Sequence, residues 1–467
     1  MRSRILAIAQ LAYPIVIAQL GSILQGWADT IMVGQYGTAE LSAAGFVNNV
    51  FNLIIYFLLG ISYATTPVVG GYFSRGEYDS VTQARRSSVL VNFLVSLFAM
   101  ALLWILYLNV ERLGQPTELM PLIKPYFIVL LCSLPFLAVF NALKQCFDAT
   151  GDTKTPMWVM LGGNIVNIIL NYLLIFGALG LPELGLVGAG VATLLSRVGM
   201  MAAIILYQVK KGKMKNEKFA TALVRQRLSN HRGSKFFTFH SSLLPFFKSF
   251  SDAPRLLRLG IPISLQMCLE AGSFNVCALF MGWIGSIALA AHQVMCTVST
   301  IGFMVYYGIG AAAAIRIAYF RGQEEWDEVR KTATTALFMS FASAIVIVTL
   351  ICVFCHPLAS IFTTSDEVAT LFIAMLPAFV CYQAGDCMQT IYANSLRAIE
   401  DVKYLLISAI IAYAIISVPL AYIFAFPCQW GATGVWWSFP FGLTTAGLIF
   451  LWRFKRCTNN KPLVPFM

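Results

Sequence analysis

Twelve apolar stretches, each long enough to cross a bilayer, occupy most of this 467-residue chain and leave it no route to an ordinary water-soluble fold. They begin near Leu11, Ala44, Leu90, Leu122, Met157, Leu186, Leu256, Ala288, Thr335, Val368, Tyr404 and Gly434. A hydrocarbon layer about 30 Å thick takes roughly 20 residues of helix to span. It also requires every backbone N–H and C=O to find its partner inside the protein. The period-2 alternation of barrel strands is missing. Charged residues make up only 11% of the chain and mean hydropathy is +0.75, whereas a soluble domain carries roughly 25% charge. The expected fold is therefore all-α and polytopic, with 12 transmembrane helices.

The net charge of +11 invites a nucleic-acid reading, which the positions of the basic residues oppose. Arg2, Arg4, Arg75, Arg85, Arg86, Lys154, Arg321, Arg330, Lys331, Arg397, Lys403, Arg453, Lys455 and Arg456 fall at the termini or in every second connection, together with the run 210–258. The alternate connections hold little beyond Arg112 and Lys124. This is the positive-inside asymmetry. It predicts a multi-pass protein of the plasma (inner) membrane with both termini and the long basic loop in the cytoplasm, and no nucleic-acid partner. The opening Met1-Arg-Ser-Arg4 and its apolar run look like a leader, but the run is too long and lacks a convincing small-residue cleavage site, so it is expected to be the first transmembrane helix.

Eleven cysteines show no paired framework, and most lie in apolar helices where a thiol acts as a small hydrophobe. Cys352-Val-Phe-Cys355-His356 fits the haem-attachment pattern by spacing alone. It ends an apolar helix with no soluble domain around it, and no cofactor is expected.

Three acids stand deep in apolar stretches: Asp29, Glu270 and Asp386. A carboxylate at the bilayer centre costs about 2.5–3.5 kcal/mol on the mildest scale, so such residues mark ion or substrate sites by default. Tyr382, Asp386 and Gln389 share one helical face, Gln266 stacks one turn before Glu270, and Asn164, Asn167 and Asn171 share another face. Carboxylate and amide oxygens turned to one interior suit a hard cation such as Na+, and the same carboxylates can carry a proton. The plain alternative is interfacial water for Asp29, toward the outer end of its helix, and an interhelical hydrogen bond for Glu270, Asp386 and the asparagines. His292 reads more readily as a satisfied polar residue than as a proton relay, and Tyr306, Tyr307, Trp436 and Trp437 as packing more readily than as a drug cavity. Pro14, Pro67, Pro135, Pro262 and Pro377 are expected kink points.

The chain repeats itself. Tyr72-Phe-Ser-Arg-Gly-Glu-Tyr-Asp79 returns as Tyr319-Phe-Arg-Gly-Gln-Glu-Glu-Trp-Asp327, Asp152-Thr-Lys154 as Asp401-Val-Lys403, and Gly188-Ala-Gly-Val191 as Gly431-Ala-Thr-Gly-Val435. The order is kept and an even number of helices separates the copies, so the repeats are parallel, as in transporters built of two halves around a central cavity. The implied division is a six-helix bundle over 1–209, a cytoplasmic linker over 210–254, a second six-helix bundle over 255–453 and a tail over 454–467. The linker contains His231-Arg-Gly-Ser-Lys235 and an amphipathic end through Phe246 and Phe250, suited to the membrane surface.

Several motifs carry a family resemblance. Trp27-Ala-Asp29-Thr-Ile-Met-Val-Gly34 resembles the opening motif of multidrug and toxic compound extrusion (MATE) transporters. So do Gly76-Glu-Tyr, Thr150-Gly-Asp-Thr-Lys154-Thr-Pro156, Asn167-Ile-Ile-Leu-Asn171-Tyr-Leu-Leu-Ile-Phe-Gly177, Gly260-Ile-Pro262-Ile-Ser-Leu-Gln266 and Ala290-Ala-His292-Gln293. Each is weak alone; their order and spacing cover all but the linker and tail. The resemblance implies export of organic, often cationic and aromatic, small molecules by antiport with Na+ or H+, by a protein expected to be monomeric. Glu270 and Asp386 point to the NorM-like branch, with Tyr382 lining that cation site and Na+ as the metal it would take. The first-half site of the family corresponds to Asp29, Asn167, Asn171 and Thr193. Some members carry an aspartate where Asn171 stands, and the amide here removes one titratable group. Gln266, Gln389, His292 and Asn164 are candidates for lining the substrate cavity.

Two rivals belong to other classes. A flippase for a lipid-linked saccharide would want a cavity rich in Arg and Lys; here the helix interiors offer Lys144, Arg197 and Arg316, each expected near a helix end. A membrane-embedded enzyme would need a constellation such as H-E-x-x-H, which the sequence lacks.

Overall fold

The computed structural model of the chain describes residues 2–113, 116–229, 251–363 and 365–459. Twelve helices in it are long and apolar enough to cross a membrane. The first six are α1 (Arg2–Tyr36), α2 (Thr38–Ser74), α3 (Tyr78–Leu108), α4 (Thr117–Ala149), α5 (Lys154–Ile175) and α6 (Gly185–Lys210). The second six are α7 (Ala253–Ile284), α8 (Ser286–Gly322), α9 (Trp326–Val353), α10 (Asp366–Ala398), α11 (Lys403–Ala425) and α12 (Gly431–Asn459). Among the described residues there is no strand. The helix of α6 continues to Ser229. His231, Lys235, Phe246 and Phe250 of the linker, and the tail beyond Asn459, lie outside the described residues. All eleven cysteines are free thiols.

The expected prolines sit inside helices, joined by Pro125 in α4 and Pro440 in α12. In α2 a turn at Ala64 divides the span three residues before Pro67. A proline removes one i→i−4 hydrogen bond, and the chain yields there. In α11 a π-helical stretch, Ile410–Ser417, precedes Pro419 and shifts the register of the helix face.

The repeat is legible in the backbone. Left-handed residues occupy matching points of three connections: Gly76 (φ 74°) and Glu324 (φ 60°), Gly151 (φ 82°) and Glu400 (φ 64°), Gly185 (φ 53°) and Gly431 (φ 55°). Glu400 holds its conformation through ion pairs to Arg255 at 2.6 Å and Arg321 at 2.9 Å. Burial alone would raise its carboxyl, but the two guanidiniums outweigh it and hold the group below the usual carboxylate range, so the clamp is ionised at neutral pH and is lost only in acid.

The core has three main parts. One cluster joins both lobes at the end carrying the termini, drawing Ile8, Ile61, Val68, Leu256, Ile317 and Leu396 from α1, α2, α7, α8 and α10. At the far end each lobe keeps its own: Val47, Phe51, Phe127 and Leu134 in the first, Met281, Met295, Phe379 and Trp436 in the second. The inter-lobe hydrogen bonds among the described residues likewise belong to the termini-bearing half and the middle, as with Arg4 to Glu328, Tyr72 to Asp252 and Tyr307 to Tyr63. The lobes are tied at one end.

Within each lobe, glycine permits the closest helix approach. A Cβ on Gly188 would stand 2.5 Å from the Leu174 carbonyl oxygen, and one on Gly434 would stand 2.7 Å from the Phe424 carbonyl oxygen. Small residues at such crossings let helix backbones meet in lipid. Gly188→Val and Gly434→Val are each expected to cost about 1–3 kcal/mol by overpacking. The check is a lowered thermal unfolding midpoint in detergent for both variants, at equal depth in the two lobes.

Candidate functional site

In the first lobe the site is built where α1 faces α5 and α6. Asp29 is half-buried, and each carboxylate oxygen takes an amide donor. Gln25 Nε2, one turn before it, donates to Oδ2 at 2.7 Å, and Asn171 Nδ2 donates to Oδ1. Gln25 Nε2 also reaches Asn167 Oδ1 at 2.9 Å, and Asn171 Nδ2 reaches the same oxygen at 3.1 Å. Asn167 Nδ2 in turn donates to Ser196 Oγ at 3.4 Å. Asn167 and Asn171 are buried, as i, i+4 neighbours on one helix face require. Asn164 shares that face but stands one turn away from the acid, donating to Ser22 Oγ at 3.4 Å.

A cavity of about 230 Å³ opens beside this network, lined in part by Asp29, Gln25, Asn48, Tyr126, Thr193 and Arg197. Thr193 is on its wall, but the bond to Asn167 comes from Ser196, whose hydroxyl also donates to the Thr193 carbonyl. Arg197 corrects the sequence reading. It is not near a helix end: it is the middle residue of the α6 span, and its Nη1 donates to Ser133 Oγ at 2.6 Å. Its charge lies close enough to act on Asp29. The basic loop beyond Lys210 lengthens the helix, and that hid the true midpoint from a reading of charge positions.

In the second lobe the acids come together from two helices, with α11 beside them. Glu270 of α7 accepts from Gln266 Nε2 at 2.7 Å, while Arg397 Nη2 of α10 donates to Gln266 Oε1 at 2.7 Å. Asp386 is 1% exposed, and its Oδ1 accepts from Thr390 Oγ1 at 3.3 Å. Gln389 and Tyr413 approach Glu270; Tyr382 approaches Asp386. Asp386 Oδ2, Gln389 Oε1 and the Tyr413 hydroxyl are buried without a hydrogen-bond partner. A buried polar group left without a partner costs about 1–3 kcal/mol, so the cluster is shaped to receive a donor or a cation.

His292 does not join this cluster. It is 2% exposed and accepts from Trp436 Nε1 at its Nδ1, 3.2 Å away, within an aromatic group that includes Tyr382 and Phe439. Trp436 and Tyr306 are fully buried. Residue-level reasoning missed Gln25, Ser196, Arg397 and Tyr413. Gln25 carried a signal, since a glutamine one turn before the acid repeats Gln266 before Glu270. Tyr413 carried none, because the π-helical stretch displaces it from ordinary helical register.

The two acids of the first helices are not at one depth. Asp29 lies fifteen residues past Pro14, and Glu270 eight past Pro262. Taking the prolines as the common reference, seven residues of helix place Asp29 about 10 Å nearer the far end.

Two pseudo-equivalent six-helix lobes, tied at one end and carrying acids in their interiors, define a multi-pass membrane protein of the two-lobe transporter class. The sequence model of MatE matches residues 14–173 and 262–423, once in each lobe. The chain belongs to the MatE family. A probable multidrug resistance protein NorM of Rhizobium meliloti is 30% identical over 460 residues, covering 97% of this chain and 94% of that protein. One from Bradyrhizobium diazoefficiens is 31% identical over 454 residues, covering 96% and 92%. The crystal structure of a Vibrio cholerae MATE transporter mutant shares the fold, with a TM-score of 0.82 at 19% identity over 98% of each chain. The sequence model of lipid II flippase MurJ matches residues 122–245 alone.

Asn171→Ala would leave Asp29 Oδ1 without its amide donor and is expected to cost about 1–3 kcal/mol of stability. Asn171→Asp would set two carboxylates together, so its penalty should shrink as pH falls and one proton is shared. Thermal unfolding of both variants across pH checks this; a pH-independent Asn171→Asp would contradict the geometry.

Proposed function

We propose that this chain is a secondary active multidrug exporter that moves organic, often cationic and aromatic, small molecules out of the cell by antiport with Na+ or H+. The observation that carries the coupling is the unmet demand in the second lobe. Asp386 Oδ2 and Gln389 Oε1 are acceptors sealed from water, and Glu270 and Asp386 together outnumber the one nearby cation, Arg397. A proton on Asp386 or a Na+ among these oxygens meets that demand. The named activity of the NorM relatives supports the drug-export half of the reading.

Coupling then follows from charge. Cation binding at Glu270 and Asp386, with Tyr382 and Gln389 beside them, removes negative charge from the lobe interior, and its departure restores it. A cationic substrate and the coupling ion compete for the same field, so the cycle exchanges one for the other as the lobes rock. A membrane potential of about 100 mV contributes about 2.3 kcal/mol per charge moved, comparable with the cost of burying one acid. In the first lobe, Arg197 offsets Asp29 beside a near-neutral cavity that Thr193 helps to line, with Asn167 and Asn171 bonded to Gln25 and Asp29 on its wall. We assign that cavity to the polar parts of the substrate, with Asn164 lining its approach.

The placement of basic residues supports an inner-membrane protein with both termini in the cytoplasm, working as a monomer of two bundles, 1–209 and 255–453. A second reading, a flippase for a lipid-linked saccharide, has the MurJ match in its favour. Pyrophosphate needs converging cations, and the first-lobe cavity presents Arg197 opposite Asp29, so the exporter reading is preferred.

Efflux of a fluorescent cationic dye from cells, under imposed Na+ and then H+ gradients, is the direct test. Efflux should follow one gradient, and Glu270→Gln and Asp386→Asn should each lower it at least tenfold with normal membrane insertion. Full export in both amide variants would sink the cation assignment. No efflux under either gradient would move the reading to the flippase.

A further inference from the structure

A small pocket of about 30 Å³ lies in the seam between the lobes near the termini-bearing end. Tyr63 and Lys144 reach it from the first lobe, Tyr307 and Arg397 from the second. The Tyr307 hydroxyl donates to the Tyr63 hydroxyl across the seam at 2.7 Å. Arg397 is 8% exposed, and its guanidinium carbon stands 5.5 Å from the centroid of the Tyr63 ring. The same guanidinium donates to Gln266 Oε1 at 2.7 Å, and Gln266 Nε2 donates to Glu270 Oε2 at 2.7 Å. Three consecutive contacts therefore join the second-lobe acids to the ring that closes the seam.

We propose that Gln266 and Arg397 form a positioning relay that makes closure of the seam at Tyr63 depend on what occupies Glu270. The proposal rests on the cation reading of the Glu270 and Asp386 cluster. Gln266 is the one group that touches both sides. Its oxygen accepts from the guanidinium and its nitrogen donates to the carboxylate, so a single amide orientation serves both. A cation received at Glu270 Oε2 competes with the amide N–H for that oxygen and repels it. That favours turning the amide, and a turned amide presents N–H groups to Arg397 and repels it. The guanidinium then loses its short anchor, is left with the 3.5 Å bond from Nη1 to Asn394 Oδ1, and leaves its place over Tyr63. This is a two-state element biased from both ends, which is what coupling between distant sites needs. Arg397 Nε is buried without a partner, so the guanidinium is held at fewer points than its donor set allows and is free to pivot.

The test uses the full chain carrying Ala311→Cys, a reporter on the pocket wall, with maleimide labelling of that peptide followed by mass spectrometry so that the eleven native thiols do not interfere. Labelling is compared with and without Na+ at one neutral pH, and at neutral and acid pH with each rate divided by that of a free thiol at the same pH, because the thiolate is the reactive form. The parent rate should change about fivefold or more with one cation, at the lower end of an ordinary coupling. Gln266→Glu keeps Arg397 partnered and, as a carboxylate at neutral pH, cannot donate to Glu270, and Arg397→Gln removes the cation. In each the Na+ response at neutral pH should fall below about twofold while the protein reaches the membrane in normal amount. Arg397→Lys keeps the charge without the planar fork and should be intermediate. Should Arg397→Gln fail to reach the membrane, Gln266→Glu decides alone. A full cation response in Gln266→Glu overturns the relay and leaves the cation reading standing. An unresponsive parent, or a response surviving Glu270→Gln, overturns both.

Discussion

The absence of water in the bilayer core governs this molecule. In hydrocarbon a carboxylate has no solvent to accept from, so each intramembrane acid must be given donors by the protein or by something that visits it. The two lobes answer that demand differently. Asp29 is furnished with an amide on each oxygen and a guanidinium nearby. Asp386 is furnished on one oxygen only. The first arrangement is complete in itself; the second leaves a carboxylate oxygen of Asp386 and the amide oxygen of Gln389 buried without a partner.

That asymmetry grew on a symmetric frame. Left-handed residues mark the same three connections in both lobes, and a glycine closes the same helix crossing in each. In both first helices a glutamine one turn before the acid donates to it at 2.7 Å. What differs is where the pair sits and what the glutamine meets beyond the acid. Gln25 reaches Asn167, a neutral amide of its own lobe, whereas Gln266 receives Arg397. Equivalent backbones thus carry acids displaced by about 10 Å in depth, on a helical rise of 1.5 Å per residue.

The fold was largely legible in the residues, because bilayer thickness turns helix count into arithmetic and the repeats name the two lobes. The shared face of Tyr382, Asp386 and Gln389 and that of Asn164, Asn167 and Asn171 followed from helical period alone. The missing parts were those that need a second helix to be seen. Arg197 looked terminal until the true span of α6 was known, Arg397 looked like one of many cytoplasmic charges, and Tyr413 is turned inward by a π-helical stretch that period-3.6 reasoning does not anticipate. Periodicity tells which residues share a face; it does not tell which other face they meet.

The tie between the lobes has a strength suited to being undone. Arg4 and Glu328 pair at 2.7 Å with more than a quarter of each side chain exposed, and such exposed pairs contribute about 0–1 kcal/mol. The neutral Tyr307 to Tyr63 bond adds about 1 kcal/mol, and the Tyr72 to Asp252 bond, which ends on a carboxylate, about 1.5–3 kcal/mol. These directed contacts together amount to a few kcal/mol. One cation crossing a potential of about 100 mV supplies about 2.3 kcal/mol, which is the same order. A seam held mainly by deeply buried ion pairs would cost several kcal/mol per ion to rearrange and would outlast that drive. Polar contacts of middling strength, added to the apolar cluster that joins the two bundles at that end, keep the directed part of the tie within the range of one charge crossing the membrane potential.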